Sequence, residues 1–145
     1  MRDPRRIDDL LGQYSESHLN HTNERIHMVC VPLIVFSLMG LIWSLHPLAA
    51  VAASAAALAW YFQLSRPFAL GMLAMTVAML GVLWALPPLT VLPASLAIFV
   101  LAWIGQFIGH QIEGKKPSFL DDLRFLLVGP LFVLGFLYRR LHLRY

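Results

Sequence analysis

The sequence predicts an all-α integral membrane protein with four transmembrane helices, an N-terminal amphipathic helix and a C-terminal re-entrant or interfacial helix. One membrane-embedded domain accounts for residues 1–145. Three observations carry this expectation. Of the 145 residues, 59% are hydrophobic and only 13% charged, against about 25% charged in an ordinary soluble domain, and the mean hydropathy is +0.68. Four apolar stretches, at 28–45, 48–62, 68–86 and 90–109, reach or approach the roughly 17 to 25 residues that cross about 30 Å of hydrocarbon. The eleven Lys and Arg residues also fall in a pattern that one membrane face can collect.

The opening segment, "MRDPRRIDDLLGQY", alternates acidic and basic side chains and lacks an apolar run with a small-residue cleavage site. It reads as an amphipathic helix and not as a signal peptide. Met28 to Leu45 is long enough to cross outright, and His46-Pro47 ends it, because proline cannot continue a helix interior. Leu48 to Phe62 is short. It must borrow Gln63 and Leu64, and its "AAVAASAAALAW" run suits close packing against neighbouring helices. "SRP" at 65–67 breaks the chain again before Phe68 to Leu86, and Pro87-Pro88 ends that run. Thr90 to Gly109 crosses back, with Pro93 in the opening turn, where proline is tolerated. The last apolar stretch, "FLLVGPLFVLGFLY" at 125–138, is short and interrupted by Gly129-Pro130. It reads as a re-entrant or interface-lying helix, with a fifth span as the alternative.

Orientation follows from the cations. Arg2, Arg5, Arg6 and Arg25 precede the first span, Arg66 separates the second from the third, and Lys115, Lys116, Arg124, Arg139, Arg140 and Arg144 follow the fourth. A cytoplasmic N-terminus puts all eleven on the cytoplasmic side and leaves the turns at Pro47 and Pro87-Pro88 uncharged, as the positive-inside rule demands. The expected setting is a bacterial inner membrane or an endoplasmic-reticulum-type membrane, with membrane lipid around the chain and both termini cytoplasmic. The net charge of +3 and pI near 9.4 come without a basic stripe interleaved with aromatics, so no nucleic-acid partner is expected. An oligomer is left open. The single Cys30 excludes a disulfide framework and a CxxC metal site.

Polar chemistry is concentrated just before the first span, in "HLNHTNERIH" (18–27). Tyr14 and His18 are four apart, Asn20 and Asn23 three, Asn23 and His27 four, so each pair can share a helix face. On the fourth span Trp103, Gln106, His110 and Glu113 recur at intervals of three and four, making a polar stripe that emerges from an apolar helix. Gln106 lies at hydrocarbon depth, where its amide needs a partner across helices or behind a metal ligand. Two antiparallel crossings bring His18, His21 and His27 to the same face as His110. His46 belongs to the opposite face and His142 to the tail, and both read as ordinary interface residues. Imidazoles without thiolates suit iron, zinc, copper or nickel, so residue type leaves the metal open.

Other chemistries fit less well. No GxSxG elbow or Walker A loop is present. A transporter needs an ionisable residue at depth for coupling, yet Arg66, placed in a turn, is the one Asp, Glu, Lys or Arg from Met28 to Ile112. Haem held inside the bundle is disfavoured because the grouped histidines sit at helix ends.

The stretches "YSESHLNHTNERIHMVCVP" (Tyr14 to Pro32), "WIGQFIGHQIEGKKPSFLDDL" (Trp103 to Leu123) and "LLVGP" (Leu126 to Pro130) resemble the membrane 2-hydroxy fatty acid dioxygenase family, which contains fatty acid α-oxidation enzymes and bacterial homologues. The family's Tyr, His, Asn, His pattern falls on Tyr14, His18, Asn23 and His27, and its Gln-Phe-x-Gly-His pattern on Gln106, Phe107, Gly109 and His110. Its Glu and Pro fall on Glu113 and Pro117, and Asn20 matches a position of Asn or Asp. Two positions depart from the pattern. His21 stands where the family commonly has proline, and Glu113 follows His110 by three residues where some members have four.

The resemblance implies an Fe(II)-dependent, O2-using enzyme that shortens 2-hydroxy fatty acids by one carbon at the cytoplasmic face. On that reading Fe(II) is held by His18, His27 and His110, with His21 or Glu113 as a further ligand. Asn23 and Gln106 orient the imidazoles, Tyr14 joins the catalytic group, and Arg25, Lys115 or Lys116 steadies the substrate carboxylate. Two alternatives remain: a non-enzymatic lipid-binding or scaffold bundle, and a histidine-ligated lipid hydroxylase or desaturase.

Overall fold

The computed structural model of the chain describes residues 4–145; Arg2, counted among the cations above, lies outside the described residues. The helices run α1 (Pro4–Ser15), α2 (His21–Leu45), α3 (Pro47–Leu64), α4 (Arg66–Ala85) and α5 (Pro88–Glu113), then a 3-10 turn (Ser118–Leu120) and α6 (Phe125–Arg140). Helices α2 to α5 are long and apolar enough to cross a membrane, and tight turns make successive ones antiparallel. One end of the bundle therefore gathers the start of α2, the end of α3, the start of α4 and the end of α5. This is the histidine end.

Local chemistry sets the boundaries. The Asn20 side chain accepts the Thr22 N–H at 2.9 Å and caps α2, satisfying one of the free donors at a helix start. The helix thus begins at His21, seven residues ahead of the apolar run, and Asn23 and His27 ride on the spanning helix itself. At the other end, His46 takes the Leu48 N–H on its Nδ1 at 3.1 Å and caps α3. That helix reaches Leu64, using Gln63 and Leu64 to complete its length. Helix α5 stops at Gly114, whose φ of 74° places it in the left-handed region that favours glycine.

Between spanning helices, lipid offers the same apolar surroundings as a leucine side chain, so association rests on close packing and hydrogen bonds. The principal pair is α2 with α5. Gly105 and Gly109, four apart on α5, let the backbones approach: a methyl on Gly105 would lie 2.6 Å from Cys30 Sγ, and one on Gly109 would overlap Asn23 Oδ1. Two buried clusters complete the molecule. Met39, Leu83 and Val91 pack at the end opposite the histidines. Ile7, Leu10 and Tyr14 of α1 pack with Tyr61, Phe68 and Met72 and with Val128, Leu131 and Phe132 of α6.

Helix α6, at 16 residues, is about 24 Å long and shorter than the hydrocarbon thickness. Its first residue, Phe125, lies against Tyr14 with ring centroids 6.2 Å apart. Near its other end the Tyr138 hydroxyl donates to the Pro67 carbonyl at 2.7 Å, at the start of α4. Between them, the Tyr61 hydroxyl near the end of α3 donates to the Leu127 carbonyl at 2.8 Å. Both ends of α6 are thus tied to the histidine end of the bundle.

Candidate metal centre

Three chain segments deliver one histidine each. His18 comes from the loop between α1 and α2, His27 from the second turn of α2, and His110 from the last turn of α5. All three are buried. One nitrogen from each lies within 4.8 Å of the others, which places the three within reach of a single metal ion. The His18 ring stands nearly perpendicular to the His27 and His110 rings, at centroid distances of 4.3 and 5.0 Å.

Hydrogen bonds fix which nitrogen points inward. His18 Nδ1 lies 2.7 Å from the Tyr14 carbonyl and His27 Nδ1 lies 2.9 Å from the Asn23 carbonyl. Carbonyls only accept, so both Nδ1 atoms carry the proton and both Nε2 atoms offer lone pairs. His27 Nε2 and His110 Nε2 face each other at 3.1 Å, and His18 Nε2 is buried with no hydrogen-bond partner. Burial lowers the His18 pKa to about 4, so the ring is neutral at neutral pH, the state that ligates a metal. His18 and His27 thus present Nε2 lone pairs, and His110 Nε2 faces His27 Nε2, a donor set of three imidazoles that fits a borderline transition metal.

Tyr14 backs this arrangement. Its ring stacks on His18 at 4.2 Å and 10°, and burial pushes its phenol well above the ordinary tyrosine value. Glu113 works from the other side: Oε1 accepts the Leu19 N–H at 3.0 Å, and Oε2 accepts the Asn20 N–H at 2.8 Å and the Asn23 amide at 3.1 Å. One carboxylate at the end of α5 therefore ties down the loop that carries His18 and the turn that carries Asn23.

The other expected site residues fall in different places. His21 is 91% exposed and pairs with Glu24 at 3.5 Å; the helix that starts there turns it away from the other three. The Asn23 side chain donates to the Ser17 carbonyl and to Glu113, so its contact with His27 runs through the backbone carbonyl and not through the amide. Gln106 is buried beside the histidines, and its Oε1 has no partner. Lys115 donates to the Glu16 carbonyl at 2.8 Å, and Lys116 pairs with Asp121 at 2.6 Å. Both line an open polar recess of about 460 Å³ that shares Ser118 and Phe125 with the histidine pocket. Arg25 is exposed on α2.

Sequence reasoning passed over Ser17 and Ser118. The Ser17 hydroxyl lies 3.1 Å from His18 Nδ1 and 2.6 Å from the Ser118 hydroxyl, linking the His18 loop to the segment after α5. Nothing in spacing joins two serines 101 residues apart; adjacency to His18 and to Pro117 was the available signal.

The pocket in front of the histidines is small, about 40 Å³, and is walled by Tyr14, Gln106, Pro117, Phe119 and Gly129 among others. Among the described residues, the buried side-chain nitrogens and oxygens without a hydrogen-bond partner are His18 Nε2, Asn23 Oδ1, Trp103 Nε1, Gln106 Oε1 and His110 Nδ1. All five belong to this end of the bundle.

Comparison with known proteins identifies a family. The family model described as 2-hydroxy-palmitic acid dioxygenase Mpo1-like matches residues 5–141. A curated relative from Saccharomyces cerevisiae, 2-hydroxy-palmitic acid dioxygenase MPO1, is 29% identical over 130 residues, covering 86% of this chain and 75% of the relative. No solved structure matches.

Proposed function

Because the chain belongs to the Mpo1-like family of 2-hydroxy-palmitic acid dioxygenases, we propose that it is an oxidoreductase of 2-hydroxy fatty acid metabolism. It uses Fe(II) and O2 to shorten a 2-hydroxy fatty acid by one carbon, at the cytoplasmic face of its membrane. The observation that carries the proposal is the convergence of His18, His27 and His110, three buried imidazoles with ligand atoms within 4.8 Å, inside the part of the chain that the family model covers.

Mechanism divides among the residues. His18, His27 and His110 would hold the iron, which when bound supplies the redox partner for O2 and a Lewis-acidic position for the oxygens of the substrate. Tyr14 holds the His18 ring in plane by stacking, and its carbonyl fixes the proton on Nδ1. The Asn23 carbonyl does the same for His27. Such outer partners set tautomer and ring orientation before metal arrives. Glu113 keeps the His18 loop closed over the end of α5. Lys115 and Lys116, in the recess that adjoins the histidine pocket, draw a carboxylate toward it, and Arg25 adds positive charge on the same face. Gln106 presents an acceptor to the pocket for a substrate hydroxyl. His21 and Glu113 have other partners, so the three-histidine set stands without a fourth protein ligand.

The test uses purified protein. Metal analysis finds stoichiometric iron, and incubation with 2-hydroxypalmitate, Fe(II) and O2 yields an acid one carbon shorter. A product of unchanged chain length favours the lipid-hydroxylase alternative. Protein that holds no stoichiometric metal and turns over nothing is a lipid-binding or scaffold bundle, and the proposal fails.

A further inference from the structure

The histidine pocket adjoins a second cavity. Ile34, Val35, Trp103 and Leu126 line both the small histidine pocket and an apolar cleft of about 400 Å³, a volume within the range of ligand sites. Along α2 the cleft is lined by Ile34, Val35, Leu38, Met39 and Ile42, the spacing of one helix face. It therefore follows α2 away from the histidines toward the opposite end of the bundle. Ile42 lies fifteen residues beyond His27, about 22 Å along the helix. Across from it, α3 contributes Ala50, Ala53 and Ser54, small side chains that leave the space open.

The wall shared by the two cavities is apolar except for one group. The indole nitrogen of Trp103 is buried and has no hydrogen-bond partner, an arrangement that costs free energy until an acceptor arrives. A donor at the mouth of a hydrocarbon cleft, next to a pocket for an oxygen-bearing group, suits a molecule with oxygens at one end of a long alkyl chain. Bulk phospholipid does not fit, because a pocket of about 40 Å³ has no room for a phosphodiester headgroup. A carboxylate or a hydroxyl is small enough.

We propose that the acyl chain of the 2-hydroxy acid lies in this cleft, that Trp103 donates its indole N–H to an oxygen at the head of that chain, and that the far wall at Ile42 and Ala50 sets the chain length accepted. The inference deepens the function proposed above and rests on it for the identity of the head group.

Chain-length preference in equilibrium binding is the readout, with 2-hydroxypalmitate and 2-hydroxydecanoate as probes and detergent-solubilised full-length protein. Ala53 is exposed at the edge of the cleft, so Ala53→Phe narrows it without burying a clash. Each methylene kept out costs about fourfold in affinity, so excluding three weakens 2-hydroxypalmitate about sixtyfold while the shorter acid still binds. Ile42→Ala lengthens the cleft and moves the preference toward longer chains. Trp103→Phe keeps the wall and removes the donor, and 2-hydroxypalmitate binding weakens about tenfold while its chain-length preference stays. Unchanged preference in both Ala53→Phe and Ile42→Ala overturns the proposal, as does equal loss of both acids in Ala53→Phe with Ile42→Ala unchanged. Wild-type protein that binds both acids but converts neither overturns the proposed reaction and leaves the cleft assignment standing.

Discussion

Glu113→Gln separates a tether from a ligand. The carboxylate accepts three N–H bonds, from Leu19, Asn20 and Asn23, and the amide that replaces it has one acceptor oxygen. With that oxygen turned toward Asn20 and Asn23, the Leu19 N–H faces an NH2 group; with the opposite flip, two bonds are lost. The better arrangement loses one charge-assisted bond and makes two others neutral. Bonds to charged groups contribute about 1.5–3 kcal/mol and neutral ones about 1, and partial exposure of Glu113 lets water offset part of the loss, leaving about 2 kcal/mol. That free energy holds the His18 loop in its ligating position. Fully transmitted, it reduces the competent fraction and weakens metal binding about thirtyfold. Anaerobic titration of the purified variant with Fe(II), alongside hydrogen exchange of the Leu19 and Asn20 amides, measures both halves. The expected result is weaker but saturable metal binding with faster exchange in the loop. Wild-type affinity with unchanged exchange would refute the tether. Complete loss of metal, equal to that of a histidine variant, would make Glu113 a ligand.

Three further outcomes follow from the same geometry. His110→Ala abolishes both metal binding and turnover, whereas His142→Ala, in an exposed tail residue, changes neither; metal content and product yield of the two variants decide it. Tyr14→Phe keeps the ring stacked on His18 and keeps metal affinity. Tyr14→Ala empties a buried aromatic site at a cost of about 3–5 kcal/mol, read as lost metal affinity and a lowered midpoint in thermal denaturation. Gly109→Ala forces a methyl against Asn23 Oδ1 and destabilises the α2–α5 contact by about 1–3 kcal/mol. Gly81→Ala meets nothing within 4 Å and raises stability by up to about 1 kcal/mol through helix propensity; equal effects in the two glycine variants would remove the close-approach argument.

The spans were legible because hydropathy needs no tertiary information: each apolar run and its closing proline is local. His46-Pro47 and Ser65 mark where α2 and α3 end, and the structure places the ends there. The convergence of His18, His27 and His110 was also legible, since antiparallel crossings carry the ends of α2 and α5 to one face. Side-chain direction was not. His21 and His18 look equivalent in the string, yet Asn20 caps α2 between them, leaving His18 in a loop folded inward and His21 on the outer side of the first turn. Asn23 and His27, four apart, share a face as expected, but a helical neighbour offers its backbone carbonyl as readily as its side chain. The carboxylate of Glu113 was freed to cap the loop because three imidazoles converge without it. The serine pair joins segments 101 residues apart and the cleft along α2 is assembled from several helices, and no periodicity encodes either.

The unpartnered atoms tie these parts together. Buried polar groups are ordinarily satisfied, and each exception costs about 1–3 kcal/mol in a fold whose total stability is about 5–15 kcal/mol. Among the described residues the exceptions collect at one end of the bundle on His18, Asn23, Trp103, Gln106 and His110, while Met39, Leu83 and Val91 pack together at the opposite end. Random defects of packing would be scattered along four helices. Their collection around a three-histidine cluster, at the mouth of an apolar cleft, matches the demands of a ligand with a cation, oxygen atoms and a hydrocarbon tail. On the proposed function, the imidazole nitrogen of His18 answers the cation, Gln106 Oε1 a hydroxyl, Trp103 Nε1 an oxygen acceptor, and the cleft the tail. On that reading, stability given up at His18, Gln106 and Trp103 is recovered when ligand binds, by the linkage that couples any native-state ligand to folding.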